Sequence, residues 1–199
     1  VTESTFPAST PSPTPSPALS PAASSGQPYV LRAATPADAD FIAEMTLAAF
    51  NWAPDRPPFT MEAFRADPAL SKYVDGWPAP GEHGVVAQAS AAGTGGGSGG
   101  DPGRLVGAAW WRCFGADAPG YGFVAEDVPE LSLAVAAGWR GRGLGRVLLR
   151  AVVDLARAEG LARVSLSVER ANHAARLYAA EGFAVVGGDE NADTMMKEL

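Results

Sequence analysis

The stretch from Trp139 to Leu149 reads WRGRGLGRVLL, with glycine at 141, 143 and 145 and arginine at 140, 142 and 146. Glycine at every second position suits neither a regular strand nor a helix interior. An apolar stretch precedes the run and a strong helix former follows, so the glycines belong to a strand-to-helix turn. Such a turn presents unpaired backbone N–H groups at a helix N-terminus, where the dipole favours an anion. The arginines beside it repel one another unless an anion sits nearby, and they can contact phosphate in bidentate fashion. On these residues alone two readings stand level: a basic turn with solvated arginines, or a pyrophosphate cradle. Two phosphate motifs do not fit. The Walker pattern needs Gly-Lys-Ser or Gly-Lys-Thr where this chain has Gly145-Arg146-Val147, and the dinucleotide fingerprint needs Gly-x-Gly-x-x-Gly rather than Gly141-x-Gly143-x-Gly145.

Other reactive side chains are few. Cys113 is the single cysteine, so no intramolecular disulfide forms, and its apolar neighbours suggest a small core residue. His83 and His173 stand far apart without cysteines at metal-ligand spacing, so no metal is expected. Glu130, with Glu126 and Asp127 just before it, offers a carboxylate base at the start of an apolar strand; a solvated loop charge explains them equally well.

A chain of 199 residues suits one domain with a sizeable core. With 47% apolar and 19% charged residues it has the balance of a soluble globular protein. The net charge of -7 argues against general nucleic-acid binding. No apolar run approaches the ~18 residues of a membrane span, and the N-terminus lacks a secretory pattern, so a cytoplasmic location is expected.

Residues 1–28 alternate Pro, Ser, Thr and Ala and read as a disordered tail. The folded part, 29–199, opens with a strand at Tyr29. A helix then starts at Thr35-Pro36-Ala37-Asp38 and carries Phe41, Ile42 and Met45 at helical spacing. A broken helical region over Thr60–Tyr73 is interrupted near Asp67-Pro68. Strands follow near 84–88 and 105–111, joined by a glycine-rich hairpin loop over 91–103. The order thereafter is strand (Glu130–Val135), helix (Val147–Arg157), strand (Val164–Val168), helix (His173–Glu181) and strand (Phe183–Val186). Thr194–Leu199 reads as an edge strand. Strand, crossover helix and strand in that order imply a parallel pair. Phe50, Trp52, Tyr73 and Trp111 are candidate pocket walls.

Two matches in register change the balance at the glycine-arginine turn. Arg140-x-x-Gly143-x-Gly145 after an apolar strand resembles the acyl-CoA signature of the GNAT-type N-acetyltransferase superfamily. Downstream, Asn172-x-x-Ala175-x-x-Tyr178 leading to Gly182-Phe183 resembles the Asn, Ala, Tyr and Gly-Phe pattern of the same family. The firm resemblance covers about residues 130–186. It implies an α/β (α+β) fold: a mixed central sheet of about six to seven strands flanked by about four helices. It further implies an N-acetyltransferase that moves an acetyl group from acetyl-CoA, its cosubstrate, to a primary amine by direct attack in a ternary complex.

The resemblance also implies the site. Leu133, Ala134 and Val135 would line the pantetheine arm, with the backbone N–H of Ala134 or its neighbour as oxyanion donor. Arg140, Gly141, Arg142, Gly143, Leu144, Gly145 and Arg146 would hold the pyrophosphate, and Asn172 and Ala175 the arm. Tyr178 would protonate the leaving thiolate, since a phenol with a pKa near ~10 keeps its proton at neutral pH. The expected partner is a small-molecule or protein amine, with a homodimer left open. The competing readings are a non-catalytic acyl-CoA-binding or sensor protein on the same fold and, more distantly, an Arg-Gly RNA contact.

Overall fold

The computed structural model describes residues 27–90 and 101–199. The expected tail lies outside these residues except for Gln27 and Pro28, and the glycine-rich loop except for 101–103. In chain order the elements are β1 (Tyr29–Ala33), α1 (Ala39–Phe50), α2 (Met61–Ala66), α3 (Pro68–Ser71), β2 (Gly84–Ala89), β3 (Leu105–Arg112) and β4 (Glu130–Val135). They continue with α4 (Leu144–Ala158), β5 (Arg163–Glu169), α5 (Ala174–Ala180), β6 (Ala184–Gly188) and β7 (Ala192–Glu198).

The strands form one mixed sheet in the order β1-β2-β3-β4-β5-β7-β6. Every pairing is antiparallel except β4 with β5. Because successive strand residues point to opposite faces, two cores result. On one face α4 lays Leu148, Leu149, Val152 and Ala156 over Val85, Ala109, Trp111, Leu131 and Leu166. On the other, Ile42 and Met45 of α1 cover Val86, Ala108, Trp110 and Ala134. Trp110 and Trp111 thus serve opposite faces, both fully buried. A third cluster, with Ala43, Phe64, Leu70, Tyr73 and Val74, packs the α2–α3 segment onto α1.

The local signals explain the boundaries. Asp38 accepts hydrogen bonds from the Thr35 N–H (2.7 Å) and from Arg32 (2.7 and 2.8 Å), which ties β1 to the start of α1. The break at Asp67-Pro68 separates α2 from α3, with the Asp67 carboxylate accepting from the Ala69 N–H at 2.8 Å. α4 closes in a Schellman arrangement, Leu161 N–H to Ala156 O and Gly160 N–H to Arg157 O, both 3.0 Å.

Three expectations need correction. β7 is not the edge strand: it pairs along its whole length with β5, and β6, exposed at every residue, forms the edge. Trp111 is no pocket wall, since its ring lies in the α4 core and its Nε1 donates to Gly81 O at 2.8 Å. Cys113 is exposed, because β3 ends at Arg112 and the chain leaves the sheet there.

Candidate active site

β4 and β5 run parallel but pair at a single position, Glu130 with Ser165, marked by the Ser165 N–H to Pro129 O bond of 3.0 Å. Beyond it β4 continues to Val135 with its β5 side open. Ladder parity decides which backbone groups face that opening. Ala136 N–H donates to Val106 O, and antiparallel bonds alternate, so Ser132 and Ala134 turn their N–H groups toward β3. Leu133 and Val135 turn theirs toward β5. Ala134 is therefore not the free donor, and its neighbour Leu133 is. The Val135 carbonyl on the same side accepts from Arg140 Nε at 3.0 Å.

The glycine-arginine turn sits at the C-terminal end of β4. Trp139 is buried and anchors it, and Arg142 lies 5.7 Å over the Trp139 ring. Gly143, the N-cap of α4, has φ +81 and a left-handed backbone, and no side chain caps the helix. A Cβ built on Gly141 or Gly143 meets nothing within 4 Å. The space before the first turn of this 15-residue helix is therefore open, as an anion site requires. The three arginines differ. Arg146 pairs with Glu181 at 3.1 Å, and Arg150 joins the same carboxylate at 2.8 Å. Arg140 and Arg142 have no carboxylate partner among the described residues.

α5 follows β5 and approaches the same opening from the α4 face. At Gly145 an added Cβ would lie 3.7 Å from Leu133 and 3.8 Å from Leu177, so the start of α4, the middle of β4 and α5 converge there. Asn172 Oδ1 accepts from Ala174 N–H at 2.9 Å and caps the helix. Ala175 is half-buried. Tyr178 is buried edge-on to Phe183, ring centroids 5.9 Å apart. Burial pushes its phenol up to about 12, so it keeps its proton.

The other sheet face holds Glu130, 5% exposed at the N-terminal end of β4. Tyr73 O–H donates to its Oε1 at 3.0 Å, and Gly122 N–H donates to its Oε2 at 2.9 Å. Burial pushes the carboxyl up to about 7 against the pull of those two donors and of Lys72. The alternatives lie elsewhere: Asp127 pairs with Arg163 at 2.7 Å, and Glu126 is exposed and accepts from Ala116 N–H at 3.3 Å. Nearby, Phe50 packs on Tyr73 and Tyr121 at 5.3 and 6.1 Å. Phe50 also lines a cavity of about 310 Å³ with Asn51, Ala53, Arg56, Pro57 and Phe59. Trp52 Nε1 (3.1 Å) and Arg56 (2.9 Å) hold this segment to Glu169 at the end of β5.

The fold thus brings the start of α4, the middle of β4 and α5 together beside one opening, with Glu130 and Tyr178 buried on opposite faces of the sheet. Sequence reasoning missed the links from Tyr73 and Gly122 to Glu130. The available signal was the Gly120-Tyr121-Gly122 triplet, whose glycines are packed tight: a Cβ on Gly120 would strike Glu130, and one on Gly122 would come within 2.5 Å of the β5 backbone at Leu166. Among the described residues no group of three His, Cys, Asp or Glu could hold a metal, and no helix is long and apolar enough to cross a membrane.

Comparison with known proteins bears on this arrangement. The model of the acetyltransferase (GNAT) family matches residues 45–183. Streptothricin acetyltransferase from Streptomyces lavendulae is 32% identical over 171 residues, which span 82% of this chain and 86% of that protein. A GCN5-related N-acetyltransferase from Kribbella flavida shares the fold, with a TM-score of 0.57, 23% identity and coverage of 86% of this chain and 98% of that one. The Salmonella typhimurium protein YncA, solved with its cofactor acetyl-CoA, has a TM-score of 0.57, 22% identity and coverage of 86% and 94%.

Proposed function

The chain belongs to the acetyltransferase (GNAT) family and is an acetyl-CoA-dependent acyltransferase; we propose that residues 29–199 form one catalytic domain that acetylates a primary amine by direct attack. When bound, acetyl-CoA supplies a thioester carbonyl open to a nucleophile and a sulfur able to leave. The left-handed, uncapped Gly143 and the free space above Gly141 and Gly143 fit its pyrophosphate. Leu144 and Gly145 would offer backbone N–H groups there, and Arg140 and Arg142 charge. Arg146, held by Glu181, would contribute field rather than contact. Leu133 and Val135 would bond the pantetheine arm, with the Leu133 N–H as the donor to the carbonyl oxygen. The Asn172 amide nitrogen and Ala175 would flank the same arm.

An alkylamine with a pKa of ~10.4 is almost wholly protonated at neutral pH, so the acceptor must lose a proton before it attacks. Glu130, held near neutrality by burial against its two donors, would take that proton through a water. Tyr178, on the other face of the sheet, would give its proton to the sulfur. The observation that carries this reading is the opening between β4 and β5, with backbone donors on its edge, an anion cradle at one end and Glu130 at the other. The name of the curated relative makes streptothricin the first acceptor to try, and the cavity beside Phe50 would take the acceptor's body.

The test is a thermal-shift titration with acetyl-CoA, then a panel of amines including streptothricin scored for released thiol. Stabilisation and turnover are the expected results. No stabilisation at millimolar acetyl-CoA would sink the proposal; stabilisation without turnover on any amine would leave an acyl-CoA-binding protein.

A further inference from the structure

Glu130 is only 5% exposed, so solvent does little to hold its carboxylate in one orientation, and the buried surroundings oppose its charge. Something in the protein must do both. The Tyr73 hydroxyl carries one hydrogen and two lone pairs. The backbone N–H of Tyr121 donates to that oxygen, which leaves its hydrogen for Glu130 Oε1, at 3.0 Å. The orientation is therefore locked from both sides. Tyr73 is itself 3% exposed, and its phenol is pushed well above the usual tyrosine range, first by burial and then by the Glu130 charge. It can donate to the carboxylate but has no tendency to become a base itself.

We propose that Tyr73 is the positioning residue for Glu130: its hydroxyl, fixed by the backbone of the Gly120–Gly122 turn, orients the carboxylate and favours its charged form. This rests on Glu130 being the base. The Gly122 N–H on Oε2 is the other donor and favours the charge more strongly, but it is backbone, so Tyr73 supplies the one side-chain hydrogen bond to Glu130 among the described residues. Lys72 adds a weaker positive field. Its ammonium donates to Pro119 O on the same turn. Arg112 lies opposite Glu130 in the β3–β4 register, but its guanidinium is taken by Glu82 at 3.1 Å. β5 presents the uncharged Ser165. The two glycines explain why the turn can reach the carboxylate: neither position has room for a side chain.

A donor to the charged form holds a carboxyl pKa down, so its loss must raise it. The first test needs no acceptor. In full-length protein labelled at the glutamate carboxyl carbons, the Glu130 signal is assigned by its disappearance in Glu130→Gln and titrated by NMR. Tyr73→Phe is expected to raise its midpoint by about one pH unit or more; an unmoved or lowered midpoint overturns the proposal.

The second test compares the pH dependence of kcat/KM in the two chains with one amine from the turnover panel. The acid limb should shift upward, with about fivefold loss near pH 7 and recovery above pH 9. An equal loss at every pH would mean a merely structural tyrosine and would also overturn it. Should Tyr73→Phe not fold, the wild-type Tyr73 ring carbon bearing the hydroxyl, isotope-labelled, must titrate with the same midpoint as Glu130; independent behaviour overturns the proposal. Failure of the base assignment is read separately, as an undiminished rate in Glu130→Gln, which leaves the NMR result untouched.

Discussion

The two ends of β4 are built in opposite ways. At the C-terminal end, Val135 runs into a turn where Gly141 and Gly143 face free space and the arginines are exposed. At the N-terminal end, Glu130 is enclosed by Tyr73, Gly120 and Gly122, with hardly room for another carbon. An open end suits a large, charged, exchangeable ligand, which must arrive and leave hydrated. A closed end suits a group whose proton affinity has to be set by its surroundings. The contrast predicts a division of labour: damage at the closed end slows chemistry and spares acetyl-CoA binding, whereas damage at the open end weakens binding and spares the rate at saturation.

The sharpest way to break that contrast is Glu130→Gln. It should lower kcat by ~10²–10⁴-fold with acetyl-CoA affinity unchanged, as single-turnover kinetics and calorimetry would report. The same variant carries a stability signature. Glu130 holds its proton more tightly folded than unfolded, so its contribution is full below the ordinary carboxylate range and is lost as pH rises through about 7. The wild type should lose stability across that window and the variant should not.

Next in size, Tyr178→Phe should slow the chemical step by roughly 10²-fold; an unchanged rate with chemistry limiting would remove Tyr178 from the reaction. Gly122→Ala forces a Cβ to within 2.5 Å of the Leu166 backbone, and a cost of about 1–3 kcal/mol is expected, seen as a lowered Tm together with a lowered kcat. The smallest effect belongs to the open end. Replacing Arg140 and Arg142 with Ala should weaken CoA binding by about tenfold relative to a phosphate-free pantetheine analogue. Equal losses for both ligands would contradict the cradle.

The same contrast governs what could be read before the fold was known. The open end lies within the eleven residues of WRGRGLGRVLL, and its strand, turn and helix are neighbours in sequence, so the turn was legible locally, although it took the second match at Asn172 to Phe183 to favour a phosphate cradle over a basic turn. The closed end brings Tyr73 onto Glu130 across 57 positions and onto Tyr121 across 48, and no local pattern encodes that. Parity was equally hidden. β4 alternates in the same way whether Leu133 or Ala134 faces the opening, and only its register with β3 decides. The outer position of β6 depends on which arm of the last hairpin pairs with β5. Trp111 was misplaced because alternation separates it from Trp110 without showing that helices cover both faces.

One paired position, Glu130 with Ser165, stitches β1–β4 to β5–β7. The sheet is therefore two plates joined near one end, and on the proposed function a pantetheine arm between them would act as an eighth strand. Acetyl-CoA would then complete the architecture as well as supply the acetyl group. Its arrival should slow amide hydrogen exchange at Leu133 and Val135. On the proposed function, CoA would leave as a borrowed strand is given back.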